Sequence, residues 1–203
     1  MKIKIYLFLA IILFLKCEVF AGDLSPYIGA TFGPVQAEQK SSYTSNVREG
    51  IFKASASGGL MYKNLRTELA YSYYSPIKSD IFINDLGSIK LDAKTEKMNS
   101  IMLNTFYGFY DADGEGVFVG AGIGLLKYKT KISFPGVFEE SGKSSSDLAI
   151  ALYAGATAHF SEKVLVDIFI EYMWADNDMS ILGNDINIKT STIGLGIGLR
   201  FKI

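Results

Sequence analysis

The chain has 203 residues, enough for one domain of ordinary size, and its 20 basic and 21 acidic residues leave a formal net charge of −1. That balance excludes the basic excess expected of a nucleic-acid partner. A single cysteine, Cys17, excludes an internal disulfide framework.

In chain order, residues 1–21 read as a cleaved signal peptide: Lys2 and Lys4, an apolar run from Ile5 to Leu15, then Val19-Phe20-Ala21 before the cut. The run is too short for a membrane-spanning helix, which needs roughly 20 apolar residues. Lys16 stands where a lipoprotein would carry a small residue before its cysteine. Residues 22–203 form the predicted domain. It has no cysteine, and without Lys2, Lys4, Lys16 and Glu18 it keeps 17 basic against 20 acidic residues, a net −3.

Beyond Ala21 the dominant period is two, not 3.6. Eight alternating segments stand near 27–32, 53–62, 65–74, 98–110, 117–130, 148–160, 164–174 and 188–201. In the fifth, Val117, Val119, Ala121, Ile123 and Leu125 share one face, and Gly120, Gly122 and Gly124 the other. The sixth sets Leu148, Ile150, Leu152, Ala154 and Ala156 against Ala149, Ala151, Tyr153, Gly155 and Thr157. In the seventh, Val164, Val166, Ile168, Ile170 and Tyr172 oppose Asp167, Phe169, Glu171 and Met173. The eighth is the clearest, with Ile193, Leu195, Ile197, Leu199 and Phe201 against Thr192, three glycines and Arg200.

Soluble sandwiches also alternate, but three features favour a membrane barrel. Most segments are longer than the usual strand of ~5–6 residues and suit the ~9–11 of a tilted spanning strand. Aromatic residues gather near their ends, as at Tyr71, Tyr73 and Tyr74, at Tyr107, Phe109 and Tyr110, and at Tyr172 and Trp174. Tight turns at 63–64, 111–114 and 161–163 alternate with long polar links near 33–52, 75–97, 131–147 and 175–187. The prediction is all-β: an eight-stranded antiparallel transmembrane barrel with short periplasmic turns and four long extracellular loops.

The stretches "YKNLRTELAYSYYS" (62–75), "GVFVGAGIGLLKY" (116–128) and "GLGIGLRFKI" (194–203) resemble the second hairpin, fifth strand and last strand of small outer-membrane proteins. The family resembled is the OmpA-transmembrane and opacity-protein superfamily, especially its surface-antigen branch. The resemblance implies an outer-membrane barrel displaying variable loops, with lipid and the barrel-insertion machinery as partners and host-surface molecules as candidates. Such chains end on an aromatic residue; this one ends on Ile203, with Phe201 two positions earlier on the same face.

With the greasy faces toward lipid, the lumen receives Arg66, Glu68 and Ala70 from the third strand and Met102, Asn104 and Phe106 from the fourth. The seventh supplies Asp167, Phe169 and Glu171, and the eighth Arg200. Buried charge must be paired. The expectation is a network in which Arg66 and Arg200 meet Glu68, Asp167 and Glu171, plugging a bore that eight strands leave barely wide enough for side chains. A narrow wet channel is the alternative. The glycines of the fifth strand are expected to make room for Tyr27 across the barrel, and those of the eighth for Met102 and Phe106.

Enzymatic readings are weak. Gly120-Ala121-Gly122-Ile123-Gly124 lacks the sixth-position glycine of a dinucleotide fingerprint, where Leu125 stands, and a strand-like run follows instead of a helix. His159 and Ser161 have the spacing of a base and nucleophile, as in lipid-modifying outer-membrane enzymes. The short turn carrying Ser161 is predicted periplasmic, away from the outer leaflet. Asp176, Asn177, Asp178, Asn184 and Asp185 lack the glycine and terminal acid of a calcium loop. No cofactor and no enzymatic activity are expected. Segments 79–95 and 131–141 read as hairpins presenting Phe82, Phe134, Val137 and Phe138, either as partner contacts or packed on one another.

Overall fold

The computed structural model describes residues 24–41, 44–83, 89–111, 115–134, 138–141, 145–181 and 184–203. Residues 1–21, expected to be a signal peptide, and the turn residues 112–114 lie outside the described residues. Among the described residues ten strands are formed: β1 (Leu24–Ser41), β2 (Thr44–Tyr62), β3 (Leu65–Tyr74), β4 (Ile77–Ile83), β5 (Ile89–Tyr110), β6 (Gly116–Phe134), β7 (Phe138–Ser141), β8 (Ser145–Ser161), β9 (Val164–Ile181) and β10 (Asn184–Lys202).

Eight of them close a barrel in the order β5-β3-β2-β1-β10-β9-β8-β6, with β6 returning to β5. Every pairing is antiparallel. Closure leaves no spanning strand with an open edge, the condition for a sheet in lipid. The first and last strands form a seam from Tyr27 opposite Lys202 out to Ser41 opposite Ile188. β4 continues the line of β3 after Ser75-Pro76 and pairs with the outer part of β5, while β7 pairs with the outer part of β6.

Turns are tight at one end. Tyr62 faces Leu65 across Lys63-Asn64, with Lys63 at φ 50°, and Ser161 faces Val164 across Glu162-Lys163. At the other end the four long links are mostly paired ribbons: β1 runs on to Ser41 against β2, and β9 to Ile181 against β10. In sequence these extensions are rich in polar residues, and the alternation that marks the spanning parts is weaker there.

The outer wall is an apolar band. Ile193, Leu195, Ile197, Leu199 and Phe201 are exposed on β10, as are Val117, Val119, Ile123 and Leu125 on β6. Nine residues between Ile193 and Phe201 match the length of a tilted spanning strand. Exposed aromatic residues flank the band: Tyr73, Tyr172 and Trp174 toward the ribbons, Tyr107, Phe109 and Phe160 toward the short turns. Inside, the ribbon half is filled by Val35, Ile51, Tyr74, Ile77, Met98, Leu126 and Tyr128.

The bulky residues of the lumen lie beside its glycines by register, and the partner is the neighbouring strand. Phe106 faces Gly120, Asn104 faces Gly122 and Met102 faces Gly124 across the β5–β6 ladder. Tyr27 faces Gly59, and Phe169 faces Gly196. This corrects the expectation that Tyr27 fills the β6 column from across the bore. In so narrow a barrel the twist lays each ring along the wall, over its ladder partner. A methyl on Gly59 would stand 2.8 Å from Tyr27 Cζ, and one on Gly120 would collide with the Phe106 ring.

Candidate functional site

The lumen holds the barrel's buried charges, in three tiers counted from the short-turn end. Asp167 anchors the first. Arg200 on the adjacent β10 donates from Nε to Oδ2 at 2.7 Å and from Nη2 to Oδ1 at 2.7 Å. Arg66 on β3, diametrically opposite β9, reaches across the whole bore and donates to Oδ2 at 2.9 Å. Thr157, the ladder partner of Asp167 on β8, donates to Oδ1 at 2.6 Å. One carboxylate thus takes four hydrogen bonds from three strands, which is how a buried charge is held without water. The Arg66 guanidinium also lies over the Phe106 ring, 3.9 Å from its centroid.

Glu68, two residues farther along β3, does not join Asp167. It accepts from Tyr27 Oη at 2.6 Å and from Asn104 Nδ2 at 3.3 Å. Tyr153 closes this tier by donating to Asn104 Oδ1 at 3.3 Å. Glu171, four residues beyond Asp167 on β9, meets neither arginine; its partner is Lys53 of β2, with Nζ 2.7 Å from Oε1. Lys53 is the lumen charge that sequence reading missed. The signal was present, because Lys53 shares its parity with Ser55, Ser57 and Gly59, whose opposite face is Phe52, Ala54, Ala56 and Gly58.

Between these tiers remains a cavity of about 40 Å³, lined by Ser55, Ser57, Arg66, Glu68, Asp167 and Glu171 among others. Room of that size takes a few waters, not a solute. Above it Tyr74 and Leu126 are completely shielded, at 0 % exposure each. Rings brace the wall below: Phe106 meets Phe118 edge-on at 5.7 Å and Tyr153 at 5.2 Å.

The other candidate residues lie elsewhere. His159 sits at the short-turn end of β8, where its backbone N–H donates to Glu115 Oε1 at 3.2 Å, and Ser161 is exposed where β8 meets its turn. Asp176, Asn177, Asp178, Asn184 and Asp185 have their backbones in β9 and β10, and their side chains lie outside the described residues. Val137 is outside the described residues altogether. Phe82, Phe134 and Phe138 fall in β4, β6 and β7, with side chains likewise outside them.

The chain that closes this eight-stranded barrel matches the model of the outer membrane protein beta-barrel domain over residues 7–201. The chain belongs to that family. Membership sets it in the outer membrane with its apolar band against lipid. A protein of Rickettsia bellii (strain OSU 85-389) bearing the name "Putative adhesin" is 26% identical over 167 residues, covering 72% of each chain. Among solved structures, the barrel is similar to Neisserial surface protein A, at TM-score 0.52 and 18% identity, over 88% of this chain and 97% of that one. OprG of Pseudomonas aeruginosa gives TM-score 0.55 at 15% identity, over 89% and 98%. These likenesses speak to the fold.

Proposed function

We propose that this protein is a surface-displayed adhesin, with the four ribbons as its binding parts and the filled bore as a mechanical brace. The observation carrying this reading is the division of the strands. Their spanning halves enclose side chains packed from Asp167 to Leu126, while their outer halves continue past the apolar band as ribbons. A barrel so filled offers recognition surface only at its ends. The name borne by the Rickettsia bellii relative agrees with that use, and host-surface molecules are the partners it suggests. In this reading the ribbon end faces the medium and the short turns the periplasm.

Exchanging each ribbon for a two-residue turn, one at a time, tests it through attachment of expressing bacteria to host cells. At least one exchange should abolish attachment. If all four variants attach like the parent, the adhesin reading fails.

The polar cavity around Lys53 and Glu171 supports a second reading, a narrow channel. Steady conductance by the purified barrel in a planar bilayer would favour it over the brace.

A further inference from the structure

We propose that the outer wall of β5 and β6, just beyond the apolar band, binds the phosphate groups of lipid headgroups through a block of lysines. On β6 the exposed Leu125 belongs to the band, and Lys127, next on that face, is also exposed. Two residues advance a strand about 6.6 Å, the step from acyl chains to headgroups. Lys97 is exposed and Lys129 half-buried, while Met98, Leu126 and Tyr128 turn inward and are buried.

The ladder makes the block unusual. Lys97 is the register partner of Lys129. One row farther out, Lys94 is paired with Lys131 on one side and with Lys78 of β4 on the other. Lys127 stands opposite Asn99 and Ser146. Six lysines therefore hold adjoining positions on three strands, and none of their described register partners is an acid. Glu96 is the residue of the bulge between Thr95 and Lys97, without a register partner. The next row reverses sign, with Asp80 opposite Asp92.

At two other places on the ribbons the register supplies an acid. Glu38 is opposite Arg48 and bonded to it at 3.2 Å, and Asp176 is opposite Lys189, whose other neighbour is Lys40. Like charges directly across a ladder repel. An anion shared between them removes that repulsion, and at this height a lipid bilayer presents phosphate. The acidic row beyond bounds the site, so bound phosphate stays level with Lys97, Lys127 and Lys129. This inference needs only the barrel's place in the membrane and stands apart from the adhesin reading.

Native mass spectrometry of the refolded full chain titrated with phosphatidylglycerol tests it. Each lysine at a charged surface contributes about a factor of five, so Lys97→Gln/Lys127→Gln/Lys129→Gln should weaken binding about a hundredfold. The corresponding triple arginine variant should keep it. The variant Lys63→Gln/Lys163→Gln/Lys202→Gln, which removes as much charge at the short-turn end, should bind like the parent. Equal binding by the parent and the first variant would overturn the proposal, as would an equal loss in the short-turn variant. A first variant that kept phosphatidylglycerol but lost heparin would overturn it in favour of a sulfated glycan. None of these results depends on host-cell attachment.

Discussion

Arg66 and Asp167 span the full bore of the barrel from opposite walls, Nη1 lying 2.9 Å from Oδ2. Arg200 shares the same carboxylate oxygen at 2.7 Å, so one carboxylate holds two buried guanidiniums.

Asp167→Asn should therefore cost about 3–5 kcal/mol, the scale for leaving buried charge unpaired. Urea unfolding in lipid vesicles, followed by loss of the heat-modifiable band on a gel, measures it. A cost under about 1 kcal/mol would mean that the arginines find other partners or water.

Lys53 and Glu171 form a separate unit, so their substitutions should couple to each other and not to Asp167. Lys53→Met and Glu171→Leu should each destabilise strongly. The double variant should cost less than the two together, by about 1–3 kcal/mol. Strict additivity would show that the 2.7 Å contact contributes nothing.

Packing of Phe106 over Gly120 predicts damage from either side of the ladder. Phe106→Ala should cost about 3–5 kcal/mol by leaving a void. Gly120→Ala should cost about 1–3 kcal/mol, because its methyl meets the ring. Combined, they should partly compensate, since the smaller residue at 106 vacates the space the methyl needs. Full additivity in the same unfolding assay would contradict this packing.

Depth in the bilayer predicts a gradient along the outer wall. Ile197→Arg, mid-band on β10, should destabilise the barrel in vesicles by about 2–4 kcal/mol. Leu24→Arg, at the first described position of β1, should cost about 0–1 kcal/mol. Equal costs at the two sites would place the band wrongly.

The spanning halves were legible in the sequence because lipid on one side and the barrel interior on the other force a period of two. Ile193 to Phe201 shows it without a break. The same parity turns Arg66, Asp167 and Arg200 inward. It does not say which charge meets which. Glu68 goes to Tyr27 and Glu171 to Lys53 because reach depends on height and on strand order around the ring, which parity ignores. Lys53 escapes the parity argument because it is the first residue of its alternating segment. The ribbons read as links for a different reason: Gln36, Glu38 and Gln39 lie where neither face meets lipid, although Val35 and Ala37 are buried.

The β1–β10 seam has a consequence for how the molecule is made. Tyr27 finds its mate at Lys202, and the Ile203 N–H donates to the Pro26 carbonyl at 3.0 Å. Of the ten strands described, β1 is made first and must wait for β10, which is made last. Until then the chain travels with two raw edges, each able to recruit a stranger, and contacts of such long sequence separation form slowly. Without β10 the sheet would keep open edges on β1 and β9 and never become a cylinder.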